Sequence, residues 1–254
     1  MSVAAVPAPA ASRGREIFRA ALRSPTFLSG AAIVLFWVGC ALFGARLTPY
    51  DPLADDVIDA LLPPSPEHWF GTDQLGRDVF SRVIAGSRDI LTVAPLATGL
   101  GTLAGASLGL ASGYFGGWFD ALLGRVIDAF LALPLIVVSL LALTALGASN
   151  ATVIVVIGLS FTPIIARTVR AAVLGERDLD YVVACSLRME SSAYIMFVEI
   201  LPNVIAPVLV EATVRLGYAI FAVATLSFLG FGIQPPSPDW GLSIATNYSL
   251  VGNY

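Results

Sequence analysis

Five stretches of this chain are predominantly apolar over twenty residues or more, at 27–46, 91–112, 121–146, 151–171 and 204–230, with more polar segments between them. A helix needs about 20 mostly apolar residues to cross a bilayer, whereas a barrel strand needs about 10. Backbone groups in hydrocarbon must be satisfied within the spanning structure, so segments this long read as helices. The pattern predicts an all-α, polytopic integral membrane protein with five transmembrane helices.

The second apolar stretch carries a finer pattern. Ala97, Gly101, Gly105, Gly109 and Gly113 recur every four residues, which makes a flat stripe along one helix face. Such a stripe lets another helix backbone approach closely, so Gly101, Gly105, Gly109 and Gly113 are read as helix-packing positions. Pro134 and Pro163 fall inside the third and fourth stretches, where each removes a backbone hydrogen bond and should bend its helix.

The intervening segments divide the chain further. Residues 1–12 are rich in Ala and Pro, and 13–23 place four arginines among Ile17, Phe18, Ala20 and Leu22, as an interfacial helix would. Residues 1–25 are thus a tail and interfacial helix ahead of an uncleaved anchor, and 26–254 form the membrane domain. In 48–89, Pro49, Pro52, Pro63, Pro64 and Pro66 break any long helix, which predicts an extended apron. From Asp73 the positions Leu75, Val79, Val83 and Ile84 recur at near-helical spacing and predict a short separate helix along the interface. The polar loop 175–203 ends in Ile200-Leu201-Pro202-Asn203, where the next apolar run restarts.

Composition excludes several functions. With 57% hydrophobic and 13% charged residues and a mean hydropathy of +0.82, the chain lacks the polar surface of a soluble globule. All 14 cationic residues are arginine, so the lysine that a Walker A loop uses to reach phosphates is absent. A net charge of −4 with no basic patch argues against nucleic acid. Cys40 and Cys185 lie in a span and in the polar loop, too far apart in this topology to bridge. Arginine collects at 13, 15, 19, 23, 167, 170, 177 and 188, against 46, 77, 82 and 88 on the other side; this bias places the N-terminus in the cytoplasm.

Few side chains offer chemistry. Glu211 and Arg215 are one helical turn apart in the fifth stretch, where an isolated charge costs about 2.5 kcal/mol or more and pairing offsets part of that. They are either a self-satisfied pair against a partner or a lining of the translocation path. Asp128 has Arg125 as its expected partner, three residues away. His68 is the only histidine and is expected at the surface, so no histidine-based metal site or triad can be assembled, and no nucleophile stands in motif spacing.

Three segments together resemble a known family. They are Phe70-Gly71-Thr72-Asp73-Gln74-Leu75-Gly76-Arg77-Asp78, with Ser81-Arg82 and Gly86-Ser87-Arg88; Leu226 to Pro236, with Pro238, Trp240 and Gly241; and Asp180-Tyr181-Val182 through Leu201-Pro202-Asn203. The chain is similar, from about residue 26 onward, to the second permease of dipeptide/oligopeptide/nickel-type ABC importers. The resemblance implies a type I importer permease fold in a bacterial inner membrane. It also implies a homologous permease partner, two ATP-binding subunits, an extracytoplasmic substrate-binding protein and surrounding lipid. ATP and Mg would be bound by partner subunits, so no cofactor is expected in this chain. By position, the ATPase-coupling loop would use Asp180, Tyr181, Val183, Ala184, Cys185, Met189, Leu201 and Pro202. Two positions depart from the family: Val183 replaces an acid, and Met189 replaces a glycine that would ease a turn. Family members continue past Trp240-Gly241 into a sixth span, so the chain is expected to be a truncated form. The competing expectations are an ion-coupled secondary transporter, which would show clustered mid-bilayer charges and inverted repeats, and an assembly factor without transport.

Overall fold

The computed structural model describes residues 22–250; the arginine-rich segment predicted as an interfacial helix lies almost wholly outside them. The described chain is helical, with no named strand: α1 (Pro25–Leu47), α2 (Val79–Phe115), α3 (Gly117–Leu131), α4 (Leu135–Leu146), α5 (Asn150–Glu176), α6 (Asp180–Leu187), α7 (Ser192–Phe228) and α8 (Trp240–Asn247). Short polar side chains start these helices. Ser24, Asp78, Ser149 and Asp239 accept hydrogen bonds from the exposed N–H groups of the first turns of α1, α2, α5 and α8.

The glycine stripe seats α2 on α5. A Cβ on Gly101 would lie 2.7 Å from the Gly158 carbonyl, one on Gly105 2.7 Å from Ile165 Cβ, and one on Gly113 2.8 Å from Val173 Cβ. At those separations only hydrogen fits. The same contacts fix direction, because numbers rise together along both helices and α2 and α5 therefore run parallel. The connection between them must recross the bilayer. That connection is α3 with α4, a pair bent by 88° between Leu131 and Leu135. At about 1.5 Å per residue the two arms are ~22 and ~18 Å long, so the bent pair has a chord of about 29 Å, close to the hydrocarbon thickness. Among the described residues four helices, α1, α2, α5 and α7, are long and apolar enough to cross, and the bent pair α3–α4 taken as one span makes a fifth.

Three expectations are corrected here. The third span is a right-angled pair of helices, because Pro134 heads α4 in an extended conformation and has no N–H to continue α3. The separate interface helix does not form; Asp73 to Asp78 is a loop, and Val79 opens a 37-residue helix that contains the second span. The polar loop is also shorter than 175–203, because α7 begins at Ser192 and passes through a π-helical turn, Ile195–Ile200, into its regular part. Pro163 sits inside α5, which continues past it to Glu176.

The core lies where α2, α5 and α7 meet, around Ile90, Leu110, Ile157, Ile165, Val169, Ile200 and Leu226. Helix α1 stays peripheral, with Leu35, Phe36, Leu42 and Phe43 exposed on a face that lipid can cover. Its C-terminal Gly44 meets Ile84 and Ala85 near the start of α2. The beginning of α1 is therefore on the same side of the bundle as the elbow formed by α6.

Candidate functional site

The elbow is built from the end of α5 onward. Tyr181 donates a hydrogen bond to Glu176 Oε2 at 2.8 Å, which ties α6 to the last turn of α5; burial, and then this bond, push the tyrosine pKa up. Val182 and Cys185, three residues apart, point into the core beside Ile195 and Ile200. The opposite face is apolar and bare. Leu179, Val183 and Leu187 make a stripe at intervals of four, with Ala184 beside it, and Leu187 is 79% exposed.

The helix ends in a turn that explains a sequence departure. Met189 has φ +62°, its N–H bonds to the Ser186 carbonyl, and the Glu190 N–H reaches back to the Cys185 carbonyl. These two bonds define a Schellman motif whose left-handed position favours glycine. The backbone keeps the turn although methionine occupies it, and the Met189 side chain is 90% exposed beside the apolar stripe.

The structure sorts the coupling residues. Asp180, Val183, Ala184 and Met189 are at the surface, Tyr181 is half-buried and braces α6, and Leu201 packs against the core while Pro202 faces out. Cys185 is corrected: at 3% exposure it cannot meet a docked protein and instead anchors α6 to the bundle. Its burial follows from the helical period that puts it with Val182.

Within the fifth span, Arg215 Nε meets Glu211 Oε1 at 2.6 Å, and the guanidinium lies over the Tyr218 ring at 5.1 Å. Both charged side chains are less than one-fifth exposed. The pair is thus satisfied within one chain, with the exposed Tyr218 and Phe221 on the adjoining face of α7.

Other polar groups were not visible as sites in the sequence. At the elbow end, the Arg170 guanidinium grips the Asp120 carboxylate with two hydrogen bonds, and Arg177 Nη1 donates to the Gly113 carbonyl at 3.0 Å. Asp128 pairs with Arg167 at 3.6 Å and not with Arg125, since α3 turns that carboxylate toward α5. At the apron end, Arg82 is 4% exposed and donates to the Pro52 carbonyl and to Ser243 Oγ, each at 3.0 Å, with Asp73 at 3.7 Å. Trp240 Nε1 bonds the Val83 carbonyl, so α8 is fastened across the start of α2. His68 is also corrected, being buried with Nδ1 2.9 Å from Asp78 and its ring stacked on Tyr50. Among the described residues, no cluster of three or more His, Cys, Asp or Glu could hold a metal ion.

The described residues thus form a helical bundle with several membrane-spanning candidates and an elbow whose apolar face is uncovered. The chain belongs to the family of binding-protein-dependent transport system inner membrane components, which matches residues 101–252; residues 12–64 match the N-terminal transmembrane domain of oligopeptide transport permease C. A dipeptide transport system permease protein of Alkalihalophilus pseudofirmus is 35% identical over 242 residues, covering 95% of this chain and 80% of the relative. A probable D,D-dipeptide permease of Escherichia coli is 35% identical over 90% of the chain and 76% of its own length. A glutathione permease of Pectobacterium atrosepticum is 35% identical over 89% and 76%. The protein is therefore a non-catalytic, multi-pass inner-membrane permease component of an importer, and its ATPase and binding protein are separate polypeptides.

Proposed function

We propose that this chain pairs with a homologous permease to form the path for di- or oligopeptides or a related small cargo. Two ATP-binding subunits dock from the cytoplasm, and a binding protein delivers cargo at the apron. The observation that carries the docking assignment is the stripe of Leu179, Val183 and Leu187, apolar yet uncovered, on a helix anchored by Val182 and Cys185. Exposed apolar surface outside the membrane marks an interaction site. The start of α1 lies on the elbow side, and the arginine bias supports a cytoplasmic assignment for that side, where ATP is available. ATP and Mg stay with the partners, and no cofactor is assigned to this chain.

Nucleotide-driven movement of the elbow would rock the spans between inward-facing and outward-facing states, as rigid bodies against those of the partner permease. Glu211 and Arg215 line the path in this account, where Tyr218 and the pair offer a zwitterionic cargo both signs of charge and an aromatic face. The names of the similar permeases support peptide-like cargo. Ala184→Asp tests docking: co-purification of the ATP-binding subunits with the permease pair should fall at least tenfold, and unchanged co-purification with unchanged coupled turnover contradicts the assignment.

A further inference from the structure

Two arginines of α5 reach the first arm of the broken span: Arg170 holds Asp120 with both prongs of its guanidinium, and Arg167 reaches Asp128 toward the arm's far end. At the C-cap of α5, Arg177 bonds the Gly113 carbonyl near the end of α2. These ties differ in burial. The Asp120 side chain is 17% exposed and Arg170 37%, whereas Arg167 and Asp128 are each about two-thirds exposed. A bidentate, partly buried pair holds geometry far better than an exposed one.

The placement gives the clamp a mechanical meaning. Helix α5 leads directly into the docking helix, and Tyr181 braces the two together through Glu176. Eleven residues beyond Asp120 the arm ends at Leu131, and the chain turns by 88° into α4. Helix α4, Leu135–Leu146, carries no charged residue and is held to the core by apolar packing through the buried Leu143. A push on the elbow passes to α3 through the Asp120–Arg170 pair.

We propose that Asp120 and Arg170 are positioning residues for energy coupling: they make the docking helix, the end of α5 and α3 one lever. This rests on the docking assignment above, and its failure looks different. In the assembled importer in proteoliposomes, Asp120→Asn and Arg170→Gln are expected to keep the ATP-binding subunits bound and hydrolysis running. Cargo moved per ATP consumed should drop about tenfold, and the reversed pair Asp120→Arg with Arg170→Asp should recover at least half of it. An unchanged ratio in both single variants, or a reversed pair no better than either, overturns the proposal. Loss of docking, by contrast, appears as missing ATP-binding subunits.

A distance measurement keeps the inference testable if the single variants fold poorly. Spin labels at Gly124 and Gly175 have open space around them. Between nucleotide-free and ATP-trapped complexes the 124–175 distance should change by less than about 2 Å, as one rigid lever requires. A change of more than about 5 Å contradicts the lever.

Discussion

The two ends of this bundle are built in opposite ways. At the apron end, Arg82 is buried and shared among the 48–78 loop, α2 and α8, and Ser237 closes on Asp89 at 2.5 Å. At the elbow end, α6 is held by two buried side chains and one tyrosine, and it presents Leu179, Val183, Leu187 and Met189 to the outside. Polar groups bonded to several segments of the chain brace the apron end, with Arg82 Nε and Asp239 Oδ2 left without a hydrogen-bond partner among the described residues. Apolar groups left without partners at the elbow make the face proposed above for docking. One end of this subunit is thus braced from within, and the other is left uncovered.

Breaking the braced end should produce the largest effect. Arg82→Ala removes the buried guanidinium that donates to the Pro52 carbonyl and Ser243 Oγ, while Asp73 keeps Arg77; it is expected to cost about 3 kcal/mol, read as lost thermal stability in detergent. The helix seam comes next. Gly105→Ala places a methyl 2.7 Å from Ile165 Cβ and 2.9 Å from the Thr162 carbonyl, and the forced separation should cost about 1–3 kcal/mol; Gly99→Ala on the same helix, with open space around it, should cost almost nothing.

A smaller effect should depend on pH. Burial raises the pKa of Asp239, whose carboxylate caps α8 by accepting from Leu242 N at 2.9 Å. A carboxyl raised in the folded state contributes its stability fully below the unfolded pKa and loses it as pH climbs through the folded value. Asp239→Asn, which keeps a capping oxygen, should therefore melt higher than the wild type at about pH 8, by on the order of 1 kcal/mol, and lose the advantage toward about pH 4. The smallest change sharpens the elbow. Met189→Gly relieves a left-handed methionine and should stabilise by about 0.5–1 kcal/mol in thermal melts.

Local and periodic features were legible in the sequence. The five candidate spans, the glycine stripe and the Glu211–Arg215 pair each depend on residues within a turn or a span of one another. What escaped was set by contacts across the chain. Asp120 and Arg170 are 50 positions apart, and only the parallel packing of α2 on α5 brings the α3 arm beside them. His68 looked solvent-facing because Asp78 lies across a folded loop from it. Pro134 marked a break, but the 88° between the arms is set with α3 and α4 each packed on α5, contacts that lie far along the chain. Cys185 was matched to the family by position alone, whereas its helical phase with Val182 already placed it inward.

The central claim is that the elbow is a cytoplasmic seat for a separate ATP-hydrolysing subunit. Replacing Leu187 with a photo-cross-linking amino acid in the assembled importer tests it most directly. The account predicts a covalent adduct with the ATP-binding subunit and no protection of that site by an impermeant external quencher. An adduct with the binding protein, or quenching from outside, contradicts it.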